Sequence, residues 1–128
     1  MSYRHCIVWI DHVRATVIRF SWNRSTKVEI ASEREAAQLH RKSGPQGSGH
    51  LDDDREFFER VARELEPAPE ILITGPGTAK VAFERYLNER FPVVDARVQG
   101  VQTLDHPSSG ELLAYGRRRF KAIDQLLG

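Results

Sequence analysis

The chain has 128 residues, 40% of them apolar and 29% charged, which fits one domain burying about two-thirds of its unfolded surface and excludes disordered and membrane-embedded classes. One cysteine, Cys6, excludes an internal disulfide and reads as a buried thiol of a reducing compartment, and the absence of an N-terminal apolar stretch leads us to expect a cytoplasmic protein with no membrane partner. The formal charge of +1 conceals an uneven distribution, with net +4 over residues 1–50, −5 over residues 51–95 and +2 over residues 96–128.

In chain order, RHCIVWID (residues 4–11) puts apolar side chains on both alternating faces, the pattern of a strand buried on both sides. RATVIRF and TKVEIA follow after turn-like gaps at 11–13 and 21–24, and the three segments predict an antiparallel meander. Residues 40–51 then combine Gly44, Gly47 and Gly49 with Pro45 and basic residues, which predicts a flexible loop. Phe57, Phe58, Val61, Ala62 and Leu65 fall at helical spacing, with Asp52, Asp53 and Asp54 expected as its cap.

Beyond Pro67 and Pro69 comes a short apolar strand, then the turn GPGTAK (residues 75–80) and a helix with a stripe of Ala79, Ala82, Phe83, Tyr86 and Leu87. DARVQGVQTLDHP predicts a further strand, and from Ser109 a last helix places Leu113, Gly116, Phe120, Ile123 and Leu127 on one face. The order β-β-β-α-β-α-β-α implies a single α/β domain over residues 1–128. Its economical form is a ribonuclease H-like mixed sheet with the first strand central beside the fourth and helices on its faces.

Parallel first, fourth and fifth strands would bring their carboxyl ends, WIDH, ITGPG and TLDH, to one edge, where α/β sheets favour ligands. Asp11 with His12 and Asp105 with His106 could there hold a divalent metal for nuclease chemistry, or simply close turns; we expect the structural role, and no metal or cofactor. In GPGTAK the helix start and Lys80 offer an anion site, against a reading as plain turn chemistry capped by Thr78. Arginine supplies 15 of the 19 cations, and its planar fork suits phosphate. His40, Arg41 and Lys42 give the loop an electrostatic handle on a polyanion, as do Lys80 and Arg117, Arg118 and Arg119 of the last helix.

The segments HCIVWIDHVRATVIRF, HRKSGPQGSGH, EFFERVARELE, EILITGPGTAK and VQGVQTLDHPSSGEL, in that order, resemble the small bacterial proteins known as translational machinery proteins. Those are similar to the middle domain of archaeal and eukaryotic peptide-chain release factors. The resemblance implies a ribonuclease H-like sheet and a loop after the third strand that bears a Gly-Gly-Gln triplet, which enters the peptidyl transferase centre and helps water attack peptidyl-tRNA. The matching stretch here is Gly44-Pro45-Gln46. Pro45 replaces the second glycine, fixing φ near −65° and driving Gly44 from helical geometry. The Arg-rich run usual after the glutamine is missing, and no codon-reading or partner-binding domain is expected.

Two classes of function follow. The first is a translation-associated protein that binds the ribosome, ribosomal RNA or tRNA without turnover. The second is a peptidyl-tRNA ester hydrolase in which Gln46 positions water and His50 assists. The metal-dependent nuclease stands third.

Overall fold

The computed structural model describes residues 3–32 and 49–127. Five strands, β1 (His5–Ile10), β2 (Arg14–Phe20), β3 (Ser25–Ala31), β4 (Glu70–Gly75) and β5 (Val98–Thr103), form one sheet of order β3-β2-β1-β4-β5. β1 pairs antiparallel with β2 and parallel with β4, and β4 pairs parallel with β5. This is the expected mixed sheet with the first strand at its centre.

Helices α1 (Gly49–Leu65), α2 (Ala79–Arg90), α3 (Pro92–Asp95) and α4 (Ser109–Leu127) complete the described elements. All six residues of β1 are buried, because its two faces are covered by different helices. Cys6, Val8 and Ile10 share one core with Ile71 and Ile73 of β4, Phe57, Val61 and Leu65 of α1, and Phe83 and Leu87 of α2. Ile7 and Trp9 point the other way, into a core with Ile18, Phe20, Leu72 and the α4 residues Leu112 and Phe120. Each such side chain contributes about 1.5–3 kcal/mol on burial. Alternation on a central strand therefore produces the continuous apolar run.

Several local expectations shift. α1 begins at Gly49, so the acidic triplet lies within the helix rather than ahead of it, and Gly49, His50 and Leu51 belong to α1 rather than to a loop. In α2 Lys80 is buried and Ala82 is exposed. In α4 the buried apolar residue of the first turns is Leu112, with Leu113 only packed against the core. β5 is shorter than the segment from Asp95 to Pro107, since Pro92 at the first helical position starts the one-turn α3 before it.

α4 opens with a reciprocal cap: Ser108 N donates to Glu111 Oε1 (2.8 Å) and Glu111 N donates to Ser108 Oγ (3.1 Å), an arrangement that satisfies two otherwise orphaned donors. Gly116 lets the helix settle on the sheet, since a β-carbon there would stand 3.0 Å from Phe20 Cζ. Gly75 is the tighter case. A β-carbon at Gly75 would be driven into the Ile10 carbonyl oxygen, at the place where β1 and β4 end side by side.

Gly75→Ala is expected to cost about 2–3 kcal/mol, because backbone rather than a flexible side chain must give way. Gly77→Ala, which meets nothing within 4 Å and has no positive φ, should change stability by about 1 kcal/mol or less. Urea unfolding of the two variants checks the difference.

Candidate nucleic-acid interface

The parallel strands β1, β4 and β5 end together at Ile10, Gly75 and Thr103, which defines a carboxyl edge. Asp11 is occupied there by backbone: its Oδ1 accepts from Val13 N (2.9 Å) and Arg14 N (2.8 Å), closing the β1–β2 turn. Asp105 pairs with His106 Nδ1 (3.0 Å) on the surface, while its carbonyl accepts from Trp9 Nε1 (2.8 Å). Among the described residues, Asp11, His12, Asp105 and His106 do not form a group close enough to share one ion. β4 stands between β1 and β5, which puts their backbones about 10 Å apart.

The turn before α2 is self-contained. Thr78 makes no side-chain cap and instead approaches His12 Nε2 (3.5 Å). Lys80 is buried and its Nζ donates to the Gly77 carbonyl. Its aliphatic stem packs while its amine turns back onto the turn carbonyl, so the amine is already engaged at the place offered as an anion site.

Ser32, the last described residue after β3, has its N–H bonded to Val13 O (2.7 Å) at the same carboxyl edge. α1 runs antiparallel to β1: Arg60 donates to Ala31 O (2.6 Å) near that edge, and Arg19 near the other edge donates to Glu64 O (2.7 Å). At 1.5 Å per residue, Gly49 lies about 16 Å beyond Arg60 along the axis. α1 therefore carries its N-terminus past the end of the sheet. His40, Arg41, Lys42, Gly44, Pro45, Gln46 and Gly47 lie outside the described residues, between these two anchors, and Gly49 and His50 sit in the first turn of α1.

The arginines of α4 are elsewhere. Arg117 donates through Nε (3.2 Å) and Nη2 (3.0 Å) to Ser21 O and through Nη2 to Arg24 O (3.3 Å), and lies over the Phe20 ring. These carbonyls belong to the β2–β3 turn, beyond the amino end of β1, where Phe20 pairs with His5. Arg118 is exposed over the Tyr115 ring, and Arg119 is half-buried. The structure thus separates Lys80 from Arg117, Arg118 and Arg119, which lie toward opposite edges and on helices covering opposite faces.

One cluster at the amino edge escaped sequence reasoning. His5 is 2% exposed and surrounded by the rings of Phe20, Trp22 and Phe120. Its Nε2 faces Glu70 Oε1 (3.5 Å) and Asp124 Oδ2 (3.7 Å). Burial holds the imidazole below its ordinary pKa, outweighing the two carboxylates. No spacing joins these three residues; only the parallel register of His5 with Glu70 and the end of α4 bring them together.

No protein-family model and no curated protein matches the sequence. The fold is shared with solved structures of release-factor-like translation proteins. Archaeoglobus fulgidus Pelota superimposes with a TM-score of 0.64 at 19% identity, over 99% of this chain and 39% of that one. The archaeal translation termination factor aRF1 gives 0.56 at 20% identity, over 84% and 32%. Saccharomyces cerevisiae Dom34, a translation termination-like factor involved in RNA quality control pathways and interacting with Hbs1, gives 0.55 at 8% identity, over 87% and 31%. The chain spans about a third of the length of these proteins. The expected likeness to release factors is met at the level of the fold.

Arg117→Ala should destabilise the fold by about 1–2 kcal/mol by stripping the charged donor from the β2–β3 turn. Arg118→Ala should change stability by about 0.5 kcal/mol or less. Denaturant midpoints of both variants, with hydrogen exchange at Ser21 to Arg24, check the assignment of Arg117 to structure rather than to RNA.

Proposed function

We propose that the chain is a translation-associated protein that binds the ribosome or tRNA through phosphate contacts made at the carboxyl edge of its sheet. The narrower likeness is to the small bacterial translational machinery proteins and to the release-factor middle domain. The observation that carries this reading is the fold shared with Pelota, aRF1 and Dom34 over 84–99% of the chain. The two ends of the described chain that flank His40, Arg41 and Lys42 in sequence support it, since Ser32 and the start of α1 both lie toward the carboxyl edge.

In this reading attachment is electrostatic: each neutralised phosphate releases condensed counterions, so affinity falls with salt. Lys80 contributes little because its amine is held by Gly77. Arg118 and Arg119 lie at the opposite edge, away from these contacts. Pro45 in place of glycine disfavours the backbone shape a hydrolytic triplet needs, so the protein binds without cleaving.

Replacing Arg41 and Lys42 together by Ala should weaken sedimentation with ribosomes and flatten the log–log salt dependence by about one to two units, while Gln46→Ala leaves binding unchanged. Peptidyl-tRNA turnover that is abolished by Gln46→Ala at intact affinity would replace this reading with an ester hydrolase, because a water-positioning group acts in the transition state. Binding by the double variant as tight as the parent's at every salt concentration would overturn the electrostatic account.

A further inference from the structure

We propose that His5, Glu70 and Asp124 form a structural zinc site that ties the end of α4 to the amino edge of the sheet. The three donor atoms lie within 4.8 Å of one another, with His5 Nε2 3.5 Å from Glu70 Oε1 and 3.7 Å from Asp124 Oδ2. Ligand atoms around a tetrahedral zinc ion at about 2.0–2.1 Å stand about 3.3–3.4 Å apart. The two distances from His5 are within a few tenths of an ångström of that spacing, and the two carboxylates, which lie within 4.8 Å of each other, close by up to about 1.4 Å when they share the ion.

The second observation is the state of the donors themselves. His5 is 2% exposed, yet Nδ1 has no partner and Nε2 meets only the two carboxylates at distances longer than an ordinary hydrogen bond, and Glu70 Oε1 is likewise buried without a partner at hydrogen-bond length. Buried polar atoms are ordinarily satisfied, and those that are not call for an unseen partner such as a water or an ion. Arg4 Nη2 holds the other Glu70 oxygen at 2.8 Å, which fixes the carboxylate with Oε1 directed at His5. Glu70 and Asp124 set two negative charges against the one positive charge of Arg4.

A borderline imidazole beside two hard carboxylates suits zinc better than magnesium, which keeps an octahedral oxygen shell. Asp124 is 41% exposed at its side chain, so water can complete the fourth position. The site joins the starts of β1 and β4 to the last turns of α4. It lies at the opposite edge from the proposed RNA contacts, and an ion there holds the helix end to the sheet.

The test is calorimetric titration of the chelator-stripped full chain with zinc chloride and with magnesium chloride, and of Asp124→Asn, whose partly exposed position keeps the variant folded. One zinc per chain is expected, with no magnesium uptake, affinity at least about tenfold weaker in Asp124→Asn, and slower hydrogen exchange near Asp124 when zinc is bound. Cobalt in place of zinc should show tetrahedral visible bands without a thiolate charge-transfer band, since Cys6 is not a ligand. No zinc uptake by the parent chain overturns the site. So does uptake equal in the parent and in Asp124→Asn, which would place the ion on other histidines.

Discussion

A strand buried along its whole length is stable only if both faces are covered and both edges are paired, and β1 imposes that requirement on the rest of the chain. Six consecutive buried residues demand helices on both sides and hydrogen-bonded neighbours on both flanks. β2 arrives by a tight turn and must be antiparallel; β4 arrives after α1 and is parallel. Gly75 shows how closely that central pairing is drawn, since no side chain fits against the Ile10 carbonyl. The two cores, with α1 and α2 on one face and α4 on the other, are consequences of covering one strand.

The same constraint divides the surface into two unlike edges. Helices that return antiparallel to β1 must start beyond its carboxyl end and finish near its amino end. α1 therefore presents its N-terminus toward the carboxyl edge. α4 finishes beside His5, where Arg117 seals the β2–β3 turn and Asp124 approaches the buried imidazole. The amino edge is knitted together by side chains of α4, and the carboxyl edge is where the proposed contacts would be made.

The alternating apolar pattern made the sheet legible in the sequence: the meander, the central position of the first strand and the parallel fourth strand are expressed in residues 4–31 and 70–75 themselves. Side-chain surroundings were not legible where tertiary context overrides type. Lys80 reads as a surface cation, but its stem is buried and its amine turns back to Gly77, leaving Ala82 outside. Arg117 reads as one of three equivalent arginines, but the proximity of the β2–β3 turn makes it a structural donor. His5, Glu70 and Asp124 stand far apart in sequence, and only strand register reveals their convergence. The candidate residues from His40 to Gly47 lie outside the described residues, so their part in the site rests on composition and on the positions of the two anchors.

The most direct test of the central claim is to place a local cleavage probe at that segment. An iron chelate attached through Ser43→Cys will not label Cys6, which is fully buried and whose thiol burial pushes up to about 12. Mixed with ribosomes and triggered to release hydroxyl radicals, this probe should cut ribosomal RNA at discrete positions, while the same probe at Asn23→Cys in the β2–β3 turn of the opposite edge should cut weakly or not at all. Discrete cuts from position 23 alone, or none from position 43, would contradict the account.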